Sequence, residues 1–279
     1  LLRPGAIGRA EIEQAAGLPL AGAAELAAPD PRAAGTLAAH YAPRAKVRNW
    51  VIAWSRELWT ALKVFGWWMP FGQRTVPDFL PVAVTGQTGV VFVHGFFCNR
   101  GIWTPWLKIL RKEGRAFSAI NLEPVLGSID HYASQVDVAV SRVTAATGRP
   151  PVVICHSMGG LAVRAWLRSA GPAADQRILR VITLGTPNSG TWLARFVRVA
   201  NGRQMCHRGA WVRQLEAGEP AHRFTRFTCW YSNCDNVVFP ASTATLAGAD
   251  NRLASGLAHV ELALDPEVMR CCLEGIRAS

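Results

Sequence analysis

Short runs rich in β-branched residues alternate with helix-forming stretches from about Gly89 to the end of the chain. The runs predict five strands: Val90 to Val93, Phe117 to Asn121, Val152 to Cys155, Ile178 to Leu184 and Phe227 to Ser232. The other stretches predict five helices: Pro105 to Glu113, Tyr132 to Ala146, Gly159 to Ser169, Thr191 to Val199 and Pro266 to Ile276. This alternation predicts an α/β fold, in which helices cover both faces of a mostly parallel sheet and functional groups lie at the carboxyl ends of the strands.

The first 85 residues do not follow this pattern. Residues 1–45 are rich in alanine and proline and predict a leader or linker, whereas residues 46–85 predict an amphipathic helix and a connector. The α/β domain is therefore expected over residues 86–279. Gly66 is expected to end the helix, and an apolar stripe runs along it at helical spacing: Trp50, Trp54, Leu58, Leu62 and Phe65. Two interpretations are open: the stripe packs on the following domain, or it lies on a membrane surface, where Trp, Arg and Lys are enriched.

Composition narrows the possible function classes. Half of the 279 residues are hydrophobic, which excludes a disordered chain, and 30 basic against 19 acidic residues give a net charge of +11. With 9% aromatic and 18% charged residues, the chain does not resemble a nucleic-acid-binding tail, so no nucleic-acid partner is predicted. No run of about 18 uncharged apolar residues predicts a membrane-spanning helix. The chain begins at Leu1 rather than Met, so an upstream segment is expected.

The seven cysteines show no C-x-x-C or Cys/His spacing, so the sequence predicts no metal site and no cofactor. Cys229 and Cys234 are near enough in sequence to form a disulfide in an oxidising compartment. The alternative is that the cysteines are buried free thiols.

The most informative motif is Pro151-Val-Val-Ile-Cys-His-Ser-Met-Gly-Gly160, where an apolar strand leads directly into Ser157 and then into a helix. A serine on so sharp a turn is exposed at the edge of the sheet and needs small neighbours, because the backbone is crowded there. Cys155 and Gly159 satisfy this need, although the first position of such a motif is usually Gly. Ser157 is therefore the candidate nucleophile.

A serine hydroxyl needs a general base, usually a histidine that is oriented by a carboxylate. In folds of this type the chain order is serine, acid, histidine. His259 is the preferred base because it follows an extended stretch and precedes the last helix. Asp235 is the preferred acid because it follows the strand that begins at Phe227, and Asp250 is the alternative. Each aspartate also has an ordinary interpretation as a turn residue.

The oxyanion of an acyl-transfer intermediate needs two N–H donors. We expect the first from Met158, which follows the nucleophile, and the second from Phe96 in the loop after the first strand, where Gly95 allows close approach of the backbone. His94 precedes the serine in the chain and is interpreted as a brace for this loop rather than as the base.

Several motifs together resemble the bacterial lipase and esterase branch of the α/β-hydrolases. They are His94-Gly-Phe96, Cys155-His-Ser-Met-Gly-Gly160, Leu184-Gly-Thr-Pro-Asn-Ser-Gly-Thr191, Ser232-Asn-Cys-Asp-Asn-Val-Val-Phe-Pro240 and Ala258-His259. The resemblance covers roughly residues 86–277. It implies the α/β-hydrolase fold, a triad of Ser157, Asp235 and His259, and an oxyanion amide at Phe96. The chain departs from the family pattern at Cys155, which replaces Gly or Ala, and at Asn188, which replaces His.

The resemblance implies a serine hydrolase that cleaves carboxylic esters, with lipid-like acyl esters as the expected substrates and no cofactor. Two alternatives remain: an acyltransferase that uses the same triad, and a catalytically silent binding module. Longer members of this branch look like membrane-anchored proteins, which implies membrane association in a bacterial cell. Phe97, Asn188 and Trp192 are the expected pocket residues.

Residues 190–215 carry five arginines and no acidic residue. One interpretation is that residues 190–225 form a cap over the pocket, whose basic part contacts anionic lipid head groups. The other interpretation is a solvated basic face on surface helices.

Overall fold

A computed structural model describes residues 42–81 and 86–279 of the chain. Its centre is a sheet of six parallel strands in the order β2-β1-β3-β4-β5-β6. The strands are β1 Val90–Val93, β2 Phe117–Ile120, β3 Val152–His156, β4 Arg180–Leu184, β5 Phe227–Tyr231 and β6 Asp250–Leu253. The α/β class, the parallel sheet and the position of the five predicted strands are confirmed. Strand β6 was not predicted, because its sequence Asp-Asn-Arg-Leu has no β-branched residue.

Eight α-helices accompany the sheet in the described part of the chain. They are α1 Val47–Lys63, α2 Thr104–Lys112, α3 Ala133–Thr147, α4 Met158–Ser169, α5 Ala200–Gln204, α6 Ala210–Ala217, α7 His259–Leu262 and α8 Pro266–Arg277. The predicted helix from Thr191 to Val199 is wrong, because the chain forms only a short 3₁₀ turn there, Trp192–Phe196. Thr191 caps this turn with its side chain, and its backbone is hydrogen-bonded to Met205 and His207 on either side of Cys206, with which it forms an isolated bridge.

Each face of the sheet has its own apolar core. Val91, Val93 and Val153 point to the face covered by α3 and α4, whereas Val90, Phe92 and Ile154 point to the face covered by α2 and α8. Because side chains alternate along a strand, one run of apolar residues supplies both cores. The sheet is therefore covered by helices on both faces, and functional loops in folds of this type lie at its carboxyl edge.

Most of the apolar stripe of α1 faces outward. Trp54, Leu58 and Leu62 of the predicted stripe are 54–63% exposed, and the buried residues of α1 are Ala53 and Glu57. Trp50, the first residue of the stripe, is half-buried and packs against Ala53, Cys234 and Ala258, so only this end of the stripe packs on the following domain. Polar contacts explain which face of α1 packs inward. Glu57 accepts hydrogen bonds from two N–H groups at the start of α7, and the small Ala53 allows close approach there. Among the described helices, none is long and apolar enough to cross a bilayer.

The expected helix end at Gly66 is also wrong. The chain continues from α1 into π-helical turns over Val64–Gly72, which include Gly66 and Pro70. This segment is held from the next loop, since Asn99 Nδ2 donates to the Met69 carbonyl at 3.0 Å and a Cβ on Gly101 would lie 2.3 Å from the Trp68 carbonyl oxygen. Tertiary contacts therefore override the local stop signal. The predicted leader, residues 1–45, lies almost entirely outside the described residues.

The segment predicted as a cap is anchored to the sheet layer by a buried ion pair. Arg164 of α4 and Glu219 after α6 have fully buried side chains, and Arg164 Nη2 lies 2.5 Å from Glu219 Oε2. Arg164 Nη1 also donates to the Asn188 carbonyl at 2.6 Å. Val212 and Leu215 of α6 are fully buried as well. The arginines of residues 190–215 are exposed, as both a solvated basic face and a contact with lipid head groups require.

We predict that Glu219→Ala lowers the free energy of unfolding by about 3 to 5 kcal/mol, because it leaves the buried Arg164 guanidinium without its counter-charge. Urea denaturation followed by tryptophan fluorescence measures the loss. The matched control is Glu274→Ala, which removes an exposed partner of Arg270 and should cost far less. Equal losses in the two variants would contradict the structural role of the buried pair.

Candidate active site

Ser157 sits on a strained turn between β3 and α4, with φ 53° and ψ −128°. A residue other than glycine rarely adopts such a conformation, and it persists only where the surroundings enforce it. The surroundings are crowded: a Cβ on Gly95 would lie 2.8 Å from Ser157 Cβ, and a Cβ on Gly159 would lie 2.4 Å from the Val93 carbonyl oxygen. The small residues of the motif are therefore required by close backbone approach.

Asp235 and His259 form a buried hydrogen-bonded pair at the same edge of the sheet. Asp235 follows β5, His259 is the first residue of α7, and His259 Nδ1 lies 2.9 Å from Asp235 Oδ2. The other carboxylate oxygen accepts hydrogen bonds from the N–H groups of Val237 and Val238, both at 2.8 Å. With a proton on Nδ1 held by the carboxylate, His259 Nε2 is the nitrogen that is free to accept a proton.

The pKa of His259 is raised above its ordinary value. Complete burial acts against the charged imidazolium, but the negative charge and hydrogen bond of Asp235, together with the charge of Glu57, outweigh it. The alternative acid, Asp250, lies at the start of β6, half-exposed, and pairs with Arg252 at 2.7 Å. The structure therefore brings Asp235, and not Asp250, to His259.

Ser157 is placed beside this pair by its neighbours in the chain. The ring of His156 packs against the ring of His259 with centroids 4.7 Å apart and the ring planes tilted by 44°, and the Ser157 N–H donates to the Leu184 carbonyl at 3.0 Å. A Cβ on Gly185, the next residue, would lie 3.2 Å from both Asp235 Oδ2 and His259 Nδ1. Among the described residues, no hydrogen bond joins Ser157 Oγ to His259. Such contacts in ligand-free sites are often long and shorten in the substrate complex.

Two backbone N–H groups beside Ser157 are available to a ligand. Within the described chain, the N–H groups of Phe96 and Met158 donate no hydrogen bond, and Met158 is the first residue of α4, where helix N–H groups lack an internal partner.

The loop that carries Phe96 is braced by His94, whose Nδ1 donates to the Gly95 carbonyl at 2.8 Å and whose Nε2 accepts from the Leu122 N–H at 2.9 Å.

Burial lowers the pKa of His94 to about 4, against the opposing effect of its bond to Gly95, so this imidazole is neutral at pH 7. A neutral ring with both nitrogens occupied is a structural brace. His94 Nε2, the nitrogen that would have to accept a proton, is occupied by the Leu122 N–H, which agrees with the interpretation of His94 as a brace.

The three expected pocket residues have different positions. Phe97 is 59% exposed and contacts the Phe96 ring, and Trp192 is 52% exposed. Asn188 differs from the expectation, because it is fully buried and its side chain donates to the Ala244 carbonyl at 2.8 Å. Asn188 thus supports the core instead of lining a pocket.

An apolar cleft of about 320 Å³ lies beside Asp235. Its walls come from α1, from the 3₁₀ turn after β4 and from the loop after β5, and the residues are Trp50, Trp54, Trp192, Leu193, Arg195, Phe196, Asp235, Asn236, Val237 and Phe239. Aromatic side chains dominate this wall. Such a surface fits an apolar chain better than a polar group.

Residues 90–270 match the Alpha/beta hydrolase family. The chain belongs to the alpha/beta hydrolase family. A comparison with curated protein sequences found no match. Nearly two thirds of this alpha/beta hydrolase is thus covered by the family segment, which includes Ser157, Asp235 and His259 but excludes α1.

Solved structures share the fold of this alpha/beta hydrolase. Lipase B of Aspergillus fumigatus has a TM-score of 0.63 and 18% identity, with 72% of this chain and 55% of that chain covered, so this chain spans about half of that lipase. The mature lipase BlEst2 of Bacillus licheniformis has a TM-score of 0.61 and 16% identity, with coverage of 72% and 96%. The monoacylglycerol lipase of Paleococcus ferrophilus has a TM-score of 0.50 and 17% identity, with coverage of 70% and 96%.

Sequence reasoning missed the residues that fix the backbone of His259 in this alpha/beta hydrolase. Asn236 Oδ1 accepts from the His259 N–H at 3.1 Å, His156 Nε2 lies 3.2 Å from the His259 carbonyl oxygen, and Glu57 accepts from the next two N–H groups. Asn236 was within reach, since it adjoins Asp235. Glu57 belongs to no recognisable motif and lies about 200 positions from its partners.

Within the described ranges, no cluster of His, Cys, Asp or Glu fits a metal ion, and all seven cysteines are free thiols.

We predict that Asp235→Asn lowers the pKa of His259, because the neutral amide no longer stabilises the imidazolium. An NMR titration of the His259 ring measures the change, with the resonance assigned by a His259→Gln variant. Asp250→Asn is the matched control and should leave the titration unchanged. A larger shift in the control than in Asp235→Asn would mean that the orienting acid is wrongly assigned.

Proposed function

We propose that this alpha/beta hydrolase is a serine esterase that cleaves carboxylic esters, with acyl lipids as its substrates. The observation that carries the proposal is the buried Asp235–His259 pair beside the strained turn of Ser157. A strained serine, an oriented imidazole and two unpaired N–H groups are the parts that acyl transfer to water requires.

In the proposed reaction, Ser157 Oγ attacks the ester carbonyl carbon while His259 Nε2 accepts the hydroxyl proton. Asp235 stabilises the imidazolium that forms. The Phe96 and Met158 N–H groups donate to the oxyanion, and each such donor is worth about 3 kcal/mol of barrier. The intermediate collapses, the ester C–O bond breaks, and the alcohol leaves with the proton from His259.

Deacylation repeats these steps with water. His259 Nε2 takes a proton from the water as its oxygen attacks the acyl-enzyme carbonyl, and collapse of the second intermediate breaks the bond to Ser157. The proton returns to Ser157 Oγ, and the carboxylic acid is released. Because His259 must be neutral to act as a base, activity is expected to fall as the pH decreases through its raised pKa.

The acyl-lipid assignment is supported by the aromatic cleft beside Asp235. The walls of the cleft present Trp54, Trp192 and Phe239, and these side chains are 48–55% exposed. Burial of an acyl chain there removes apolar surface from water on both partners, at about 25 cal/mol per Å². The names of the structural neighbours, which include a monoacylglycerol lipase, agree with this substrate class.

A lipid surface is the proposed docking partner of α1 and the following π-helical turns. Their outer face, called here the aromatic face, consists of Trp54, Leu58, Trp59, Leu62, Phe65, Trp67 and Phe71, all more than 40% exposed. Exposed basic residues flank it, among them Arg48, Lys63 and Arg74. Tryptophan beside Lys and Arg suits the interface of an anionic membrane, where the apolar part is buried and the cations meet head groups.

We predict that Ser157→Ala reduces the hydrolysis of p-nitrophenyl esters by at least about 10³-fold and abolishes labelling by a fluorophosphonate, because the nucleophile is lost. The substitution is small, and circular dichroism should be unchanged. Ser169→Ala, at the end of the same helix, is the control and should retain labelling. Wild-type turnover in the Ser157→Ala variant would refute the proposed mechanism.

We predict that Trp59→Glu weakens binding to vesicles that contain anionic phospholipid, because the interfacial tryptophan is replaced by a charge that anionic head groups repel. Flotation of wild-type and variant protein at low salt measures the change. Val138→Glu places the same charge on α3, at a residue that is 57% exposed, and should bind as the wild type does. Identical flotation of the three proteins would contradict the lipid surface.

A further inference from the structure

Glu57 is the one acidic residue of α1, and its carboxylate is turned into the protein. The residue is 8% exposed, Oε1 accepts the Val260 N–H at 2.8 Å, and Oε2 accepts the Glu261 N–H at 3.0 Å. These N–H groups follow directly after His259 in α7. The first N–H groups of a helix have no partner inside the helix, so a carboxylate from another element satisfies them.

The start of α7 is thereby held from three directions. Asn236 binds the His259 N–H, His156 binds the His259 carbonyl, and Glu57 binds the next two N–H groups. The backbone on both sides of His259 is thereby fixed, and the imidazole itself is held by Asp235. A displacement of about 1 Å in a catalytic group costs on the order of 100-fold in rate, so such restraint matters for chemistry.

We propose that Glu57 is a positioning residue for His259, which fixes the start of α7 so that the imidazole lies between Asp235 and Ser157. This inference rests on the proposed function of His259 as the general base. It places part of the catalytic support on a helix outside the matched family segment, residues 90–270.

The charges around Glu57 predict a measurable effect on the pKa of His259. Burial raises the pKa of Glu57, and the two N–H donors and the charge of His259 act against that rise. The groups that face His259 are Asp235, Glu57 and His156. On the exposed side, Arg56 pairs with Glu261 at 2.6 Å and donates to the Gly256 carbonyl at 2.7 Å. Arg56 therefore ties α1 to α7 without contacting the N–H groups that Glu57 binds.

The test compares Glu57→Gln with Arg56→Ala in the full chain. Glu57→Gln removes the negative charge and turns a donor toward one N–H group, so kcat should fall between about 10-fold and 100-fold with KM unchanged, because Glu57 does not touch the substrate. The pKa of His259 should fall, both in the pH profile of kcat/KM and in the NMR titration of its ring. Arg56→Ala also weakens the contact between α1 and α7, but it should lower neither kcat to this extent nor the pKa of His259.

An unchanged kcat in folded Glu57→Gln overturns the proposal, and so does the same loss in Arg56→Ala, which would mean that Glu57 serves only to dock α1. If Glu57→Gln does not fold, Glu57→Asp decides the matter: the shorter carboxylate cannot reach both N–H groups, so a reduced kcat supports positioning and a wild-type kcat overturns it. The ring titration needs no turnover. A chain without esterase activity would refute the proposed function, and the titration would still report whether Glu57 acts on His259.

Discussion

The chain contacts itself at Ser157 more closely than ordinary side chains permit. The missing Cβ atoms of Gly95 and Gly159 are what allow the loop after β1 to touch the turn after β3. The N–H groups of Phe96 and Met158 each lie one residue from this contact, so the same crowding that strains Ser157 also holds both donors beside it. The position of the two donors is therefore a consequence of how closely two parallel strand ends approach each other, and the His94 side chain braces the loop that carries Phe96.

The second constraint is the burial of charge beside that turn. Asp235 and Glu57 are both removed from water, and each accepts two backbone N–H hydrogen bonds in place of hydration. A buried carboxylate without such donors would be costly enough to take up a proton. The negative charges of Asp235 and Glu57 raise the pKa of His259, which favours the imidazolium that the proposed reaction passes through. The same hydrogen bonds fix the loop after β5 and the start of α7, so electrostatic tuning and positioning come from one set of contacts.

The sequence was most informative where one local rule dominates. Periodicity predicts the five apolar strands, and the small residues around Ser157 predict the crowded turn. The chain order of serine, acid and histidine leaves Asp235 or Asp250 as the acid and His259 as the preferred base. Predictions from the sequence were wrong where contacts between distant residues determine the local structure. Asn188 is buried because Arg164 and Ala244 need its polar groups, and Gly66 does not end its helix because the loop at Asn99 holds the next turn. Neither partner is visible from the local sequence.

Helix α1 shows most clearly that a local pattern does not decide which face packs inward. Its hydrophobic stripe left two interpretations open, packing on the domain or on a membrane surface, and the face that packs inward contains Trp50, Ala53 and Glu57. The first N–H groups of α7 explain why Glu57 faces inward, because leaving them buried and unsatisfied would cost about 1 to 3 kcal/mol each. The inner face of α1 thus supplies hydrogen-bond acceptors to α7, whereas its outer face is apolar and exposed. Because the inner face contacts α7 through directional hydrogen bonds, α1 is fixed to the backbone next to His259.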